Sequence, residues 1–383
     1  METLSPILQK VVPLRHELHQ YPELSGQEIN TAESILEFME SSRPDRIARQ
    51  VGGHGLILTY DSGKEGLHLM FRAELDALPI QEKNTLSYQS RYPDSGHLCG
   101  HDGHMSIVAG LGLYFGRFRP ERGKVSLLFQ PAEETGEGAQ QVINSRAWQR
   151  NKPDFLFALH NLPGYPVGKV LVKENVFTAA SQGMCSILEG ATAHAARPEQ
   201  AKSPALAISD IIKDFHKFGD SGVAYQDFVL LTVVHVLMGT PTYGITPGYA
   251  ELRATLRSFR NEDIHQLQHW AEETVSKRAE QYGLDFHFQY NEIFPATVNH
   301  PEAFEVLSKV LQRMEADVAY LNTPFRWSED FGSYSRDCKT CFFCLGAGEN
   351  KPDLHHENYD FPDEITSVAM QIFFSIADYL LKP

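Results

Sequence analysis

The sequence predicts an α/β fold in two domains, and three observations carry that expectation. At 383 residues with 42% hydrophobic content, the chain exceeds what one comfortable core would hold. Strand and helix patterns alternate from the N-terminus to about residue 174, as in a sheet covered by helices. From residue 183 to about residue 290 the order becomes strand, helix, two strands, long helix, strand, which reads as a smaller α+β insert. The expected boundaries are residues 1–180 and 292–383 for a discontinuous larger domain and 181–291 for the insert.

Local pattern justifies each element in turn. Residues 5–21 and 28–40 place apolar side chains at helical spacing, and residues 55–60 and 67–71 read as strands. The small, apolar residues 105–114 read as a helix. Residues 124–129 (K-V-S-L-L-F) and 154–159 (D-F-L-F-A-L) are apolar runs of the kind buried strands show. Within the insert, strands are expected at 184–188, 229–237, 249–259 and 285–290, with helices at 204–218 and 261–282. Residues 342–345 read as a buried strand ending at Gly346, and residues 362–381 as a final amphipathic helix.

Charge and cysteine usage exclude several function classes. A net charge of -15 argues against nucleic acid or an anionic membrane as partner. No apolar run reaches the length of a membrane span, and residues 1–10 lack a basic stretch followed by an apolar one, so a cytoplasmic protein is expected. Five cysteines, an odd number, agree with that compartment. Cys338, Cys341 and Cys344 have a spacing open to a structural zinc or a redox pair. Cys341 and Cys344 would, however, fall on opposite faces of a strand, so packing is the expectation.

The residues that carry chemistry sit at strand ends and turns. Residues 98–104 read L-C-G-H-D-G-H. Cys99 and His101 project to one side of a turning backbone, and Gly100 permits the tight path between them. His104 falls in the first turn of the following helix, with a less defined role. The strand at 124–129 runs into Gln130, Pro131, Ala132, Glu133 and Glu134. Adjacent carboxylates there can point opposite ways, one to a metal and one to the water it activates. His160 follows the next strand, and His355 and His356 lie in a loop near the C-terminus. Taken singly, a Cys-x-His pair is most simply packing and an acid pair a solvated turn. Together, Cys99, His101, Glu134, His160 and His355 exceed the needs of one tetrahedral zinc, with Glu133 to spare. Two metals fit better, bridged by an ionised Cys99, with Glu133 as proton shuttle.

Ordered motifs extend nearly end to end: RHELHQYPELS (15–25), FRAELDALPI (71–80), CGHDGH (99–104), QPAEE (130–134), ALHN (158–161), SEDF (328–331) and LHH (354–356). In these the chain resembles the amidohydrolase branch of the aminoacylase and carboxypeptidase metallopeptidases, which holds hippurate hydrolases, N-acetyldiaminopimelate deacetylases and auxin-conjugate hydrolases. The resemblance implies a di-metal catalytic domain interrupted by a lid or dimerisation domain. It implies two divalent ions (zinc, manganese, nickel or cobalt) held by Cys99, His101, Glu134, His160 and His355, with Glu133 as base. It gives Asp76 a supporting role behind a metal-ligating histidine. His194, in TAHAARP, would help bind substrate and polarise the scissile carbonyl, and closure of the lid would bring it to the metals. The implied reaction is hydrolysis of a small N-acyl amino acid, N-acetyl or N-benzoyl, to carboxylate and free amino acid.

The alternatives are a dipeptidase or carboxypeptidase acting on short peptides, an N-acetyldiaminopimelate deacetylase, which YPVGKVLVKE (165–174) brings to mind, and a non-catalytic metal binder. Retention of Glu133 weighs against the last. The lid admits a homodimer. One departure is plain: many relatives carry Asn-Val-Ile-Pro where this chain has Tyr243, Gly244, Ile245, Thr246 and Pro247. Arg257, in ATLR, keeps the family arginine, and His235 and Tyr243 are candidates to replace the missing asparagine.

Overall fold

The computed structural model describes residues 4–220, 222 and 224–382, and the chain forms two compact units. Unit 1 comprises Met1–Phe177, Thr297–Pro324 and Asp330–Pro383, and unit 2 comprises Thr178–Ala296 and Phe325–Glu329. Hydropathy does not set Phe325–Glu329 apart from its neighbours. Backbone bonds do: Ala179 N–H donates to the carbonyls of Phe325 and Trp327, and the Arg257 guanidinium donates to the Arg326 carbonyl.

Unit 1 is built on a mixed eight-stranded sheet. Its strands are β1 (Arg46–Val51), β2 (Gly55–Asp61), β3 (His68–Glu74), β4 (Lys124–Gln130), β5 (Phe155–Pro163), β6 (Val170–Val172), β15 (Val318–Tyr320) and β16 (Lys339–Gly348). They lie in the order β1-β2-β4-β3-β5-β16-β6-β15, and a two-stranded ribbon pairs β7 (Asn175–Thr178) with β14 (Thr297–Asn299). The helices are α1 (Ser5–Gln20), α2 (Ile29–Met39), α3 (His101–Arg117), α4 (Gly138–Asn144), α5 (Arg146–Gln149), α8 (Pro301–Arg313) and α9 (Ile365–Leu381).

Strands β4, β3, β5 and β16 run parallel to one another, so their carboxyl ends emerge on one edge of the sheet. Both β3 and β5 are buried at every position, which is why they read as continuous apolar runs rather than alternating ones. Leu69, Phe71, Phe157, Leu159, Cys341 and Phe343 form one core with Val108 and Leu111 of α3 and Phe373 and Ile376 of α9. Each large side chain so buried contributes about 1.5–3 kcal/mol, enough together to fix the strand ends that bear the ligand-type residues. Cys341 belongs to this core.

Two elements differ from the sequence expectation in ways that matter for the site. Helix α3 begins at His101, four residues before the expected start, because Gly100 takes φ +92° and its carbonyl accepts the His104 N–H. A Cβ at Gly100 would lie 2.3 Å from Asn161 Oδ1, so no other residue fits. Strand β5 continues past His160 to Pro163, since pairing with β16 persists through Leu345↔Asn161 and Gly346↔Leu162.

Unit 2 holds a four-stranded antiparallel sheet in the order β10 (Val229–Met238), β12 (Tyr249–Ser258), β8 (Ala180–Glu189), β13 (Asp285–Phe294). A small pair joins β9 (Ala193–His194) to β11 (Ile245–Thr246). Alternate residues of β12, Ala250, Leu252, Ala254 and Leu256, are buried. Helices α6 (Ala205–His216) and α7 (Asn261–Gln281) bury Ile208, Ile211 and Phe215, and Leu267, Ala271 and Val275. The period of two on the strand meets the helical period on α6 and α7. Among the described residues, no helix is long and apolar enough to cross a membrane.

Candidate metal centre

The carboxyl ends of β3, β4 and β5, the start of α3 and the loop before α9 bring seven of the sequence candidates together in unit 1: Asp76, Cys99, His101, Glu133, Glu134, His160 and His355. Ligand atoms of Cys99, His101 and His160 lie within 4.8 Å of one another, as do those of Cys99, Glu134 and His355, and those of His101, Glu133 and Glu134. His160 Nε2 stands 3.4 Å from Cys99 Sγ. His101 Nε2 is 3.8 Å from Glu134 Oε1 and 3.9 Å from Glu133 Oε2, and His355 Nε2 is 3.6 Å from Glu134 Oε2. Two atoms bonded to one ion at about 2.0–2.3 Å stand at comparable separations.

The tautomers follow from the hydrogen bonds. His101 Nδ1 lies 2.9 Å from the Asp76 backbone carbonyl and His160 Nδ1 lies 2.7 Å from the Asn161 carbonyl. A carbonyl only accepts, so both Nδ1 atoms carry a proton, and Nε2 is the nitrogen that each ring turns to the cluster. His101 Nε2 is buried with no hydrogen-bond partner among the described residues, a costly state for a polar atom unless something else binds it. An N, S and carboxylate donor set around such an atom fits a divalent transition metal.

Electrostatics agree. Burial pushes the Cys99 thiol well above its usual range, and the charges of Glu134 and Glu133 push it further. Only a cation at the sulfur would let it ionise. Burial disfavours the His101 imidazolium, but Asp76, Glu74 and Glu134 outweigh it and lift its pKa to about 10, marking a pocket rich in negative charge. Burial, then the neighbouring His104, holds His160 well below its ordinary value, and burial, then His101, lowers His355. His355 is half exposed and takes φ +66°, its N–H tied to the Leu98 carbonyl at 2.9 Å.

Asp76 acts at two points. Its backbone carbonyl fixes the His101 tautomer, and its Oδ2 accepts the Glu134 N–H at 2.9 Å and the Ser25 hydroxyl at 2.7 Å. Its Oδ1 stands 3.7 Å from His101 Nδ1 and acts on it through space. His104 is committed elsewhere: Nδ1 donates to Glu74 at 2.7 Å and Nε2 accepts the Asn161 N–H at 3.2 Å, so both nitrogens already have protein partners.

His194 lies in unit 2, apart from these groups in the sequence of elements. It sits exposed on β9, opposite Ile245, and its Nδ1 accepts the Ala196 N–H at 3.0 Å, which leaves Nε2–H as a free-facing donor. Arg257 is engaged within unit 2 by Ser328 Oγ at 3.0 Å. Tyr243 is fully exposed and His235 is exposed on β10.

Sequence reasoning left Asn161 and Glu28 without roles. Asn161 Nδ2 donates to the Cys99 carbonyl at 3.1 Å and lies 2.6 Å from the Tyr359 hydroxyl, steadying the thiol-bearing turn. The signal for it was its place in ALHN, directly after His160. Glu28 reads in sequence as an ordinary acid at a helix start.

Comparison with known proteins converges on one family. The family described as Peptidase family M20/M25/M40 matches residues 70–378. The chain is 27% identical to an N-acetylcysteine deacetylase of Bacillus subtilis (strain 168), over 97% of each chain. It is 27% identical to a hippurate hydrolase of Campylobacter jejuni, over 96% of each. Among solved structures, a Bacillus subtilis dinuclear metal binding peptidase of the M20 family superposes with a TM-score of 0.83 at 25% identity, over 99% of both chains.

Proposed function

The chain belongs to peptidase family M20/M25/M40, and from that premise we propose that it is a metal-dependent amidohydrolase that cleaves N-acyl amino acids, N-acetyl or N-benzoyl, to a carboxylate and a free amino acid. The observation that carries this reading is the buried His101 Nε2, without a hydrogen-bond partner among the described residues, facing Glu133 and Glu134 beside Cys99. Two divalent ions, zinc, manganese, nickel or cobalt, would be held by Cys99, His101, Glu134, His160 and His355. Bound there, they supply Lewis acidity toward the scissile carbonyl and lower the pKa of water.

The chain's own residues do the rest. Glu133, beside the ligands but not needed to complete them, takes a proton from the attacking water and returns it to the leaving amine nitrogen. Asp76 holds both the His101 ring and the Glu134 amide in place. His194, through Nε2–H, is the proposed donor to the developing oxyanion, so His194→Ala should lower kcat.

Strand β10, at one edge of its sheet, exposes Val234, Val236, Leu237 and Met238. That supports a homodimer through unit 2, which sedimentation would reveal. An odd number of cysteines, five, favours a reducing, cytoplasmic setting.

The decisive experiment strips the metal, reloads zinc, manganese, cobalt or nickel separately, and assays N-acetyl amino acids, N-benzoyl amino acids, N-acetyldiaminopimelate and dipeptides. Metal-restored hydrolysis of acylated amino acids supports the reading. Turnover confined to dipeptides would move the assignment to a peptidase. Binding of two ions with no turnover on any of them would leave a non-catalytic metal binder.

A further inference from the structure

The Q-P-A-E-E turn is held at two points by carboxylates from elsewhere in unit 1. Ala132, just before Glu133, has φ +51°, a left-handed conformation that costs a residue with a Cβ about 1–2 kcal/mol. Its N–H donates to Glu28 Oε1 at 2.8 Å, and the Gly26 N–H donates to the same oxygen at 2.8 Å. Two residues on, the Glu134 N–H donates to Asp76 Oδ2, which Ser25 also reaches. Glu133 is therefore the single residue between two pinned amides, and residues 25–28 brace both pins.

Glu28 is fully buried, and its Oε2 has no hydrogen-bond partner among the described residues. Burial raises its pKa, and the charge of Asp76 adds to the effect, although the backbone N–H groups of Gly26 and Ala132 oppose it. Helix capping does not account for the residue: Glu28 is the N-cap of α2, yet its side chain makes no capping bond. An apolar side chain of similar size would fill the space without the desolvation cost, but it could not hold the Ala132 N–H.

We propose that Glu28 is a positioning residue that keeps Ala132 left-handed, so that Glu133 and Glu134 face the ligand cluster. It touches neither substrate nor ion and acts through the backbone. The inference builds on the proposed two-metal site, and its test separates the two.

The experiment uses the full-length protein, with zinc affinity measured against a chromophoric chelator and kcat and KM on the best N-acyl amino acid of the panel above. In Glu28→Ala, zinc affinity and kcat should each fall about 10–100-fold while KM changes by less than about threefold. Glu28→Gln keeps an oxygen for both N–H groups and should recover most of both quantities. Adding Ala132→Gly to Glu28→Ala should recover part, because glycine adopts the left-handed conformation without the Cβ penalty.

A Glu28→Ala protein that melts earlier but keeps wild-type zinc affinity and kcat would reduce Glu28 to a stability role and overturn the proposal. So would a double variant no better than Glu28→Ala. If Glu28→Ala does not fold, Glu28→Asp, one methylene too short for Ala132, replaces it, and unchanged zinc affinity there is equally fatal. Absence of turnover in the wild-type protein would sink the functional reading alone, since the zinc measurement still decides the role of Glu28.

Discussion

Three clusters of buried charge lie within unit 1, and they differ in where their counter-charge comes from. Around Arg72 the chain supplies its own: the guanidinium pairs with Glu74, donates to Asp330 at 2.7 Å and donates to Gln130 Oε1 at 3.0 Å. Gln130 Nε2 and the Ala139 N–H complete Asp330, and His104 completes Glu74. The Arg15 group is built the same way: its guanidinium reaches Asp360 at 2.9 Å and Asp363 at 3.0 Å, while His19 bridges Asp102 at 2.8 Å and Glu82 at 3.2 Å. Around Cys99, Glu133 and Glu134 the groups facing the acids are imidazoles: His101 lies 3.8 Å from Glu134 and 3.9 Å from Glu133, and His355 lies 3.6 Å from Glu134. This cluster gathers acid and thiol groups around imidazole Nε2 atoms that face inward. A network closed by its own arginine is structural, whereas thiol, carboxylate and imidazole groups gathered in one place form a donor set that could hold a metal ion.

Four experiments can break or sharpen that contrast. The largest effect is expected at Glu133, whose replacement by Gln should lower kcat about 10²–10⁴-fold, with two ions still bound and the melting temperature unchanged. Loss of metal together with activity would instead place Glu133 among the ligands. Next, Arg72→Met leaves Glu74 and Asp330 buried without their cation and should cost about 3–5 kcal/mol in denaturant unfolding. A cost below about 1 kcal/mol would mean the closed network is not what holds these strand ends.

Removing metal should act on the cluster around Cys99. Chelation is expected to lower stability by about 3–4 kcal/mol relative to protein held at 100 to 1,000 times the dissociation constant. Unfolding indifferent to chelator would show that this cluster does not bind an ion.

The smallest effect concerns the pH response of the closed group. Burial disfavours the His19 imidazolium, but Asp102 and Glu82 raise its pKa from 6.5 to about 9. A group whose pKa is raised in the folded state contributes fully below the unfolded value of 6.5, and that contribution fades as pH climbs through about 9. Wild-type protein should therefore lose on the order of 2–3 kcal/mol between pH 6.5 and 9.5 that His19→Gln does not lose. Parallel pH profiles for the two proteins would mean that His19 is not held protonated in the fold.

Much of the ligand chemistry was legible beforehand because it is local. Cys99 and His101 flank a glycine, Glu133 and Glu134 follow an apolar strand, and His160 lies in another, so residue type and strand-end position suffice to nominate them. The start of α3 was less legible, since the left-handed Gly100 that begins the helix is required by Asn161, sixty-one positions away. The length of β5 was hidden for a similar reason: its last residues are strand only because β16 pairs with them.

The sequence by itself determined the α/β class and the smaller α+β insert and nominated residues for a metal site, because periodicity and residue chemistry are properties of neighbours along the chain. Tertiary structure decided which of those residues are open to an ion. His101 and His104 lie three residues apart on one helix, yet His101 Nε2 has no hydrogen-bond partner among the described residues, while Glu74 and Asn161 take both nitrogens of His104. It also turned Glu28, an ordinary acid in sequence, into a brace for Ala132. Hydrogen-bond partners and charge balance depend on residues brought together from distant segments, and no local pattern encodes them.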